Sequence, residues 1–313
     1  MKKVVYVTGC LGFIGSHVTR ECLEQGWYVK GIDKETYASN KKLLDEFNTY
    51  NNFCYEKIDI NDLQSIGDCD YFINTAAETH VDNSIIKNDI FIKSNVNGVH
   101  NILELLRVKK EKIPILLHFS TDEVYGDIVE GSHTEQSLLK PSNPYSASKA
   151  AADQLILAWN RTYGIPYIIV RPTNNYGIGQ YTEKLIPKAI KYLQLGRKIP
   201  LHDKGLPKRI WLNVQDTANA VVHIIKSQTF NKIYNISGNL ELQNIDVIKL
   251  IISNYDSNLK LEDCIDFSYN RVGHDVRYSI DDSLLKSLGW SCSKIFEQEI
   301  KKIVIKEKDT FKW

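Results

Sequence analysis

The chain has 313 residues, 43% of them hydrophobic and 25% charged, which excludes a fibrous or disordered protein and supplies the cores of a large two-part fold. Its 39 Lys and Arg nearly balance 38 Asp and Glu, for a net charge of +1, so no global field favours nucleic acid or another polyanion. Six scattered cysteines (10, 22, 54, 69, 264 and 292) lack the paired spacing of zinc or redox sites, and no run approaches the ~20 apolar residues of a membrane helix. The apolar stretch after Met-Lys-Lys is too short for a signal peptide, and the expectation is a cytoplasmic protein with no metal, no membrane association and no nucleic-acid partner. The basic run from Arg107 to Lys112 reads as a solvated helix end.

Short apolar runs predict strands at Val4 to Thr8, Tyr28 to Asp33, Phe53 to Lys57, Tyr71 to Asn74, Ile115 to Ser120 and Tyr167 to Arg171. Helical patterns start near Phe13, Asn40, Asp89 and Pro144. This alternation predicts an α/β fold with a Rossmann-type, doubly wound parallel sheet over residues 1–173. Beyond Pro172 the pattern loosens, and 174–313 is expected to be mainly a smaller C-terminal substrate-binding lobe, with 210–235 returning to the first domain.

Gly9-Cys-Leu-Gly12-Phe13-Ile14-Gly15 follows the first strand and opens a helix. Glycines there let a pyrophosphate approach backbone N–H groups and the helix N-terminus. Asp33, about 20 residues on at the end of the second strand, suits adenosine ribose hydroxyls and repels a 2′-phosphate, which favours NAD over NADP. Tyr145 and Lys149 stand i, i+4 at the start of a helical pattern and so share a face. An ammonium near the phenol would favour phenolate and make the tyrosine a base for a sugar hydroxyl. With the glycine turn, this pair resembles the short-chain dehydrogenase/reductases, in particular their extended branch that modifies nucleotide sugars.

Ser120-Thr121-Asp122-Glu123-Val124-Tyr125-Gly126 follows a buried strand at the carboxyl edge of the sheet, where ligands bind in such folds. The Thr121-Asp122-Glu123 triplet resembles that of nucleotide-sugar 4,6-dehydratases, whereas epimerases of the same branch lack the acid pair. The resemblance covers nearly the whole chain. It continues through Asp33 to Ala38, Ala76-Ala77-Glu78-Thr79-His80-Val81-Asp82, Asn174-Asn175-Tyr176-Gly177, Glu183-Lys184-Leu185-Ile186-Pro187 and Gly273-His274-Asp275-Val276-Arg277-Tyr278.

The resemblance implies NAD contacts from Gly9, Gly12, Phe13, Ile14, Gly15, Asp33, Lys34, Asp59, Ile60, Ala76 and Ala77, together with Tyr145 and Lys149. It implies contacts to a nucleotide sugar from His80, Ser84, Asn174, Glu183, Lys184, Leu185, Arg209, Arg271 and His274. Cationic side chains among these suit a diphosphate. On their own residues, His80 also reads as a packed strand-end histidine and Asn174-Asn175 as an ordinary turn.

The implied chemistry is oxidation, elimination and reduction at one site. Tyr145, helped by Thr121 and Lys149, removes the C4 hydroxyl proton; Glu123 takes the C5 proton; Asp122 protonates the departing C6 hydroxyl. NAD is regenerated, so it is expected to stay bound. A 4-epimerase or decarboxylase leaves Asp122 and Glu123 without a role, and a non-catalytic NAD-binding protein leaves the whole set without one. Four positions depart from the family pattern: Asn83, Ile178, Ile210 and Val272. The shorter Asn83 suggests room for a 2-acetamido group, so dTDP-glucose, UDP-glucose and UDP-N-acetylglucosamine all stay open. The resemblance also implies a homodimer through helices near Asn95 to Arg107 and Pro144 to Tyr163.

Overall fold

The computed structural model describes residues 2–110, 112–268 and 276–309. Strands β1 (Val4–Thr8), β2 (Tyr28–Asp33), β3 (Phe53–Lys57), β4 (Tyr71–Asn74), β5 (Ile115–Phe119) and β6 (Tyr167–Pro172) lie in one sheet. After the short strands β7 (Asn174–Tyr176), β8 (Ile199–Pro200) and β9 (Lys208–Asn213), β10 (Lys232–Ile236) returns to that sheet. The seven strands run parallel in the order β10-β6-β5-β4-β1-β2-β3.

A parallel sheet needs helices on both faces, and the side-chain alternation of the strands supplies both. Val5, Val7, Ile73, Leu117, Ile168 and Val170 face one core with Val18 and Cys22 of the helix Phe13–Glu24 and Val222 of the helix Val214–Lys226. Phe72, Leu116 and Ile169 face the other, with Ile102 and Leu106 of the helix Gly98–Arg107 and Ile156 of the helix Pro144–Tyr163. The strand ends agree with the sequence reading to within a residue. The helix expected from Asp89 is in three parts: a short α turn, a π-helical stretch Ile92–Asn97, and the α-helix Gly98–Arg107. The wider turn carries buried Asn95, whose amide donates to the Glu78 carbonyl at 3.0 Å and to Ser148 Oγ at 2.9 Å, tying the cavity wall to the helix that carries Tyr145.

The smaller lobe has its own core, in which Ile186 and Ile190, Val247 and Ile251, and Ile300 and Val304 come from three helices, Leu185–Gln194, Asn244–Tyr255 and Phe296–Glu307. Strand β9 pairs parallel with β7 and antiparallel with β11 (Leu240–Gln243), and β8 pairs with β12 (Ile265–Asp266). The expected return of 210–235 therefore divides. The helix Val214–Lys226 and β10 join the large sheet, but the strand through Ile210 belongs to the small one, because its partners are β7 and β11. An apolar run alone does not reveal which edge a strand will find.

One buried ion pair joins the elements that meet at the carboxyl edge. Arg171, at 2% exposure, bonds Asp153 Oδ2 through Nη2 at 2.9 Å and through Nε at 3.0 Å. Ser120 Oγ donates to the same carboxylate oxygen at 2.9 Å, and Arg171 Nη1 donates to the Tyr125 hydroxyl at 2.7 Å. That hydroxyl donates on to Asn235 in β10 at 2.8 Å. The network thus ties β6, β10, the helix Pro144–Tyr163 and the segment from Ser120 to Tyr125. Breaking a buried pair leaves a bare charge in a dry place, which costs about 3–5 kcal/mol. Arg171→Met is expected to lower the unfolding free energy by that order, read as a fall in the urea midpoint; an unchanged midpoint would show that the pair does not hold this edge.

Candidate active site

The carboxyl ends of β1, β2, β4, β5 and β6 open onto one cavity that continues between the two lobes. At its floor the glycine turn is fixed by sterics. Gly9 has φ +69°, and a Cβ on Gly15 would overlap the Gly9 carbonyl and crowd Thr75 Oγ1. Gly12, the N-cap of the first helix, has no side chain to satisfy the first-turn N–H groups. These groups therefore face the cavity as an anion site, with Phe13, Ile14 and Gly15 lining it. Asp33 accepts the Leu11 N–H at 3.0 Å through Oδ2, which ties it to that turn, and accepts Glu35 N–H and Ser39 Oγ through Oδ1 at 2.7 and 2.9 Å. Lys34 reaches Ser94 Oγ at 3.2 Å and the carboxylates of Asp59 and Glu78 at 3.5 and 3.8 Å. Ile60, Ala76 and Ala77 line the same wall. A glycine cradle, an uncapped helix end and a strand-end carboxylate fit a dinucleotide.

The chemistry-bearing side chains stand at the junction of the lobes. Thr121 caps the 3-10 turn Asp122–Tyr125, its Oγ1 accepting the Glu123 N–H and donating to Asp122 Oδ1, both at 3.3 Å. Consecutive residues of this turn send Asp122 inward, at 3% exposure, and Glu123 toward the cavity, where Asn143 Nδ2 approaches Glu123 Oε2 at 3.5 Å. Asn143 is also the N-cap of the helix Pro144–Tyr163: it forms a capping box with Ser146, and Pro144 at N1 completes the start. Tyr145 is thereby delivered at the first turn, beside Thr121.

Electrostatics here follow burial. Asp122 is pushed up to about 7, first by desolvation and then by Glu123, against the opposing pull of Arg209 and a hydrogen bond from Thr121. Its Oδ2 is buried without a hydrogen-bond partner, as is Asn174 Oδ1; both residues line the cavity and are poised to meet hydroxyl groups. Tyr145 is raised well above the ordinary phenol value by desolvation and by Glu123 and Asp122, with a Thr121 hydrogen bond opposing. Lys149 is turned away from the phenol. Its ammonium is not what tunes Tyr145 here: Nζ lies 3.2 Å from His118 Nε2, at 2% exposure, outside the cavity lining, and desolvation brings Lys149 down to about 8.

The remaining expected residues divide. Glu183, Lys184 and Leu185 line the cavity at the start of the helix Leu185–Gln194. Lys184 Nζ donates to the Thr79 carbonyl at 2.8 Å, and the Tyr37 phenol donates to Glu183 at 3.0 Å, so both bridge the lobes. Arg209 stacks 4.5 Å over the Tyr278 ring and acts on Asp122 through its charge. His80 and Ser84 are not among the lining residues: His80 caps the helix Val81–Ile86, and Ser84 is buried with its hydroxyl on the Val81 carbonyl at 2.6 Å. Arg271 and His274 lie outside the described residues. Asn83 hydrogen-bonds Tyr37, whose phenol in turn reaches the cavity-lining Glu183. Sequence reasoning passed over Asp153, although Tyr145, Lys149 and Asp153 continue one i, i+4 face. It also passed over His118, whose place depends on sheet register.

Among the described residues no His/Cys/Asp/Glu cluster could hold a metal, and no helix is long and apolar enough to cross a membrane. This fold, with a glycine cradle and a Thr-Tyr-Lys set, defines an extended short-chain dehydrogenase/reductase. The family model described as GDP-mannose 4,6 dehydratase matches residues 6–303. The dTDP-glucose 4,6-dehydratase of Haemophilus influenzae is 39% identical, with 96% of each chain covered. The crystal structure of dTDP-glucose 4,6-dehydratase from Streptomyces venezuelae, with NAD and TYD bound, superimposes with a TM-score of 0.91 at 33% identity, covering 96% of each chain. UDP-glucuronic acid 4-epimerase from Bacillus cereus shares the fold, with a TM-score of 0.89 at 21% identity and 97% and 99% of the two chains covered. The chain belongs to the nucleotide-sugar 4,6-dehydratases, a family of NAD-dependent hydro-lyases.

A raised carboxyl makes a stability prediction. Folding lifts Asp122 from its ordinary 3.8 to about 7, so the native state binds a proton that the unfolded chain has released, and stability falls as pH rises through that window. Asp122→Asn removes this cost. Thermal unfolding of the variant is expected to show a gain on the order of 1–4 kcal/mol at pH 8 that vanishes below pH 4. A gain equal at both pH values would mean that Asp122 is not held protonated.

Proposed function

We propose that this chain converts dTDP-glucose to its 4-keto-6-deoxy product. The carrying observation is the convergence of Thr121, Asp122, Glu123 and Tyr145 on the cavity that also holds the glycine cradle. Identity to dehydratases named for dTDP-glucose supports the sugar. In this reading residues 1–173, with the helix Val214–Lys226 and β10, hold the cofactor, and most of 174–313 holds the nucleotide sugar. Asp33 selects NAD, because its two oxygens already anchor the turn and a 2′-phosphate beside them would be repelled. The assembly in this reading is a homodimer through 95–107 and 144–163.

The glycine cradle, Asp33 and Lys34 would hold NAD, which when bound would supply a hydride acceptor and then a hydride donor for the sugar, so net redox is zero. Tyr145, once its phenol proton has passed to Lys149, accepts the C4 hydroxyl proton as phenolate, Glu123 takes the C5 proton acidified by the new ketone, and Asp122 gives its proton to the departing C6 hydroxyl, which leaves as water. Glu123 then returns its proton to C5. Over this cycle Tyr145 gains one proton and Asp122 loses one. Thr121 bonds both groups, which supports its returning that proton. Asp122 near 7 suits a general acid at neutral pH. Lys184, Glu183, Asn174 and Arg209 act on the substrate, and Arg271 and His274 complete the set by family resemblance.

Incubation with dTDP-glucose, UDP-glucose and UDP-N-acetylglucosamine, read by the alkali-induced absorbance of a 4-keto sugar, is expected to give clearly fastest turnover with dTDP-glucose. Faster turnover of the acetamido sugar would overturn the substrate assignment. Separately, Glu123→Gln replaces the carboxylate by an amide of similar shape. Product formation and solvent deuterium entry at C5 are both expected to slow by ~10²–10⁴-fold. Wild-type exchange in that variant would move the base elsewhere.

A further inference from the structure

Thr8, Asn74 and His118 are in register across β1, β4 and β5, at the last positions of the ladder on each strand pair. Their side chains form a row: Thr8 Oγ1 donates to Asn74 Oδ1 at 2.6 Å, Asn74 Nδ2 meets His118 Nδ1 at 3.1 Å, and His118 Nε2 meets Lys149 Nζ at 3.2 Å. None of the four residues exceeds 2% exposure. A dry row of polar groups must alternate donors and acceptors, so the polarity at one end fixes the other.

Thr8 Oγ1 accepts the Ala76 N–H at 3.4 Å and directs its own proton to Asn74 Oδ1, at the length of an O–H···O bond. This turns the Asn74 amide nitrogen, a donor only, toward Nδ1. Nδ1 must then be bare, and the imidazole proton sits on Nε2, facing Lys149. Accepting it requires a lone pair on Nζ, which a neutral amine has and an ammonium lacks. An ammonium there would drive the proton to Nδ1, setting two donors against each other 3.1 Å apart.

We propose that His118 is a positioning residue of the active site: its Nε2–H holds Lys149 retracted behind the cavity as an uncharged amine in the cofactor-free protein. This rests on the dehydratase reading only for the role of Lys149. The charged groups around Lys149 are consistent with it. Asp153, one turn on, pulls Lys149 back toward the ammonium but shares its charge with Arg171 from β6, and the imidazole from β5 is held neutral by burial. Tyr145, one turn earlier, faces the acidic pair Asp122 and Glu123. Burial brings Lys149 to about 8, and a hydrogen bond to its lone pair carries the same equilibrium further toward the amine. Release of that bond frees Lys149 to turn to the cavity, where its lone pair takes the Tyr145 phenol proton, so no proton enters or leaves the pair. A site with a protonated phenol then becomes one in which an ammonium favours phenolate.

The test is nitrogen-15 NMR of histidine- and lysine-labelled, cofactor-free protein, with the His118 signals assigned by their loss in His118→Phe. The expected result is a proton on Nε2, a bare Nδ1 and an uncharged Lys149 at pH 7.5. An Nδ1–H tautomer, an imidazolium or a Lys149 ammonium at that pH overturns the proposal. Asn74→Asp supplies a second arm: a carboxylate only accepts, so it should draw the proton to Nδ1 and return Lys149 to the ammonium, and an unchanged tautomer also counts against the proposal. Neither arm uses a sugar, so failure of the dehydratase reading would appear as absent turnover with the Nε2–H tautomer intact.

Discussion

Arg171 and Asp153 bring opposite charges into a region sealed from water, and the geometry of the active site depends on their meeting. Each would be prohibitively costly there alone. Together they fix the end of β6 against the helix Pro144–Tyr163 and, through Ser120 and Tyr125, pin both ends of the segment that bears Thr121, Asp122 and Glu123. Tyr145 is on the same helix, two turns before Asp153. The acid, the base and the phenol are thus positioned by one electrostatic clamp, while the glycine cradle is set independently by sterics at β1.

Around this clamp burial opposes charge on three side chains. Burial pushes the Asp122 carboxyl and the Tyr145 phenol toward their neutral forms, and Lys149 likewise. Charging any of the three is costly unless a partner is supplied. That condition suits a reaction in which one site must act as base, acid and base again. It also explains why an i, i+4 Tyr–Lys pair need not signify a preformed phenolate.

The sheet was legible in the sequence because parallel strands buried on both faces appear as compact apolar runs, and the six predicted strands from Val4 to Arg171 are all present. The glycine turn, Asp33, the acid pair and Tyr145 were legible as well, since each sits at a strand end or helix start where local chemistry marks it. Register and rotamer were not. Nothing local tells that Thr8, Asn74 and His118 align across three strands, that Lys149 turns to an imidazole, or that the strand through Ile210 pairs with β7 and β11. Nor does a motif's spacing tell that His80 caps a helix and that Ser84 is buried, which are decided by the fold around them.

The central claim is that a single site withdraws hydrogen from C4 of the sugar and places it on C6 after water has left. Incubation with dTDP-glucose carrying deuterium at C4, followed by mass spectrometry and proton NMR of the product, tests it directly. The account predicts that the label reappears at C6 of the 4-keto-6-deoxy sugar. Deuterium retained at C4, whether in unchanged sugar or in its 4-epimer, would contradict it.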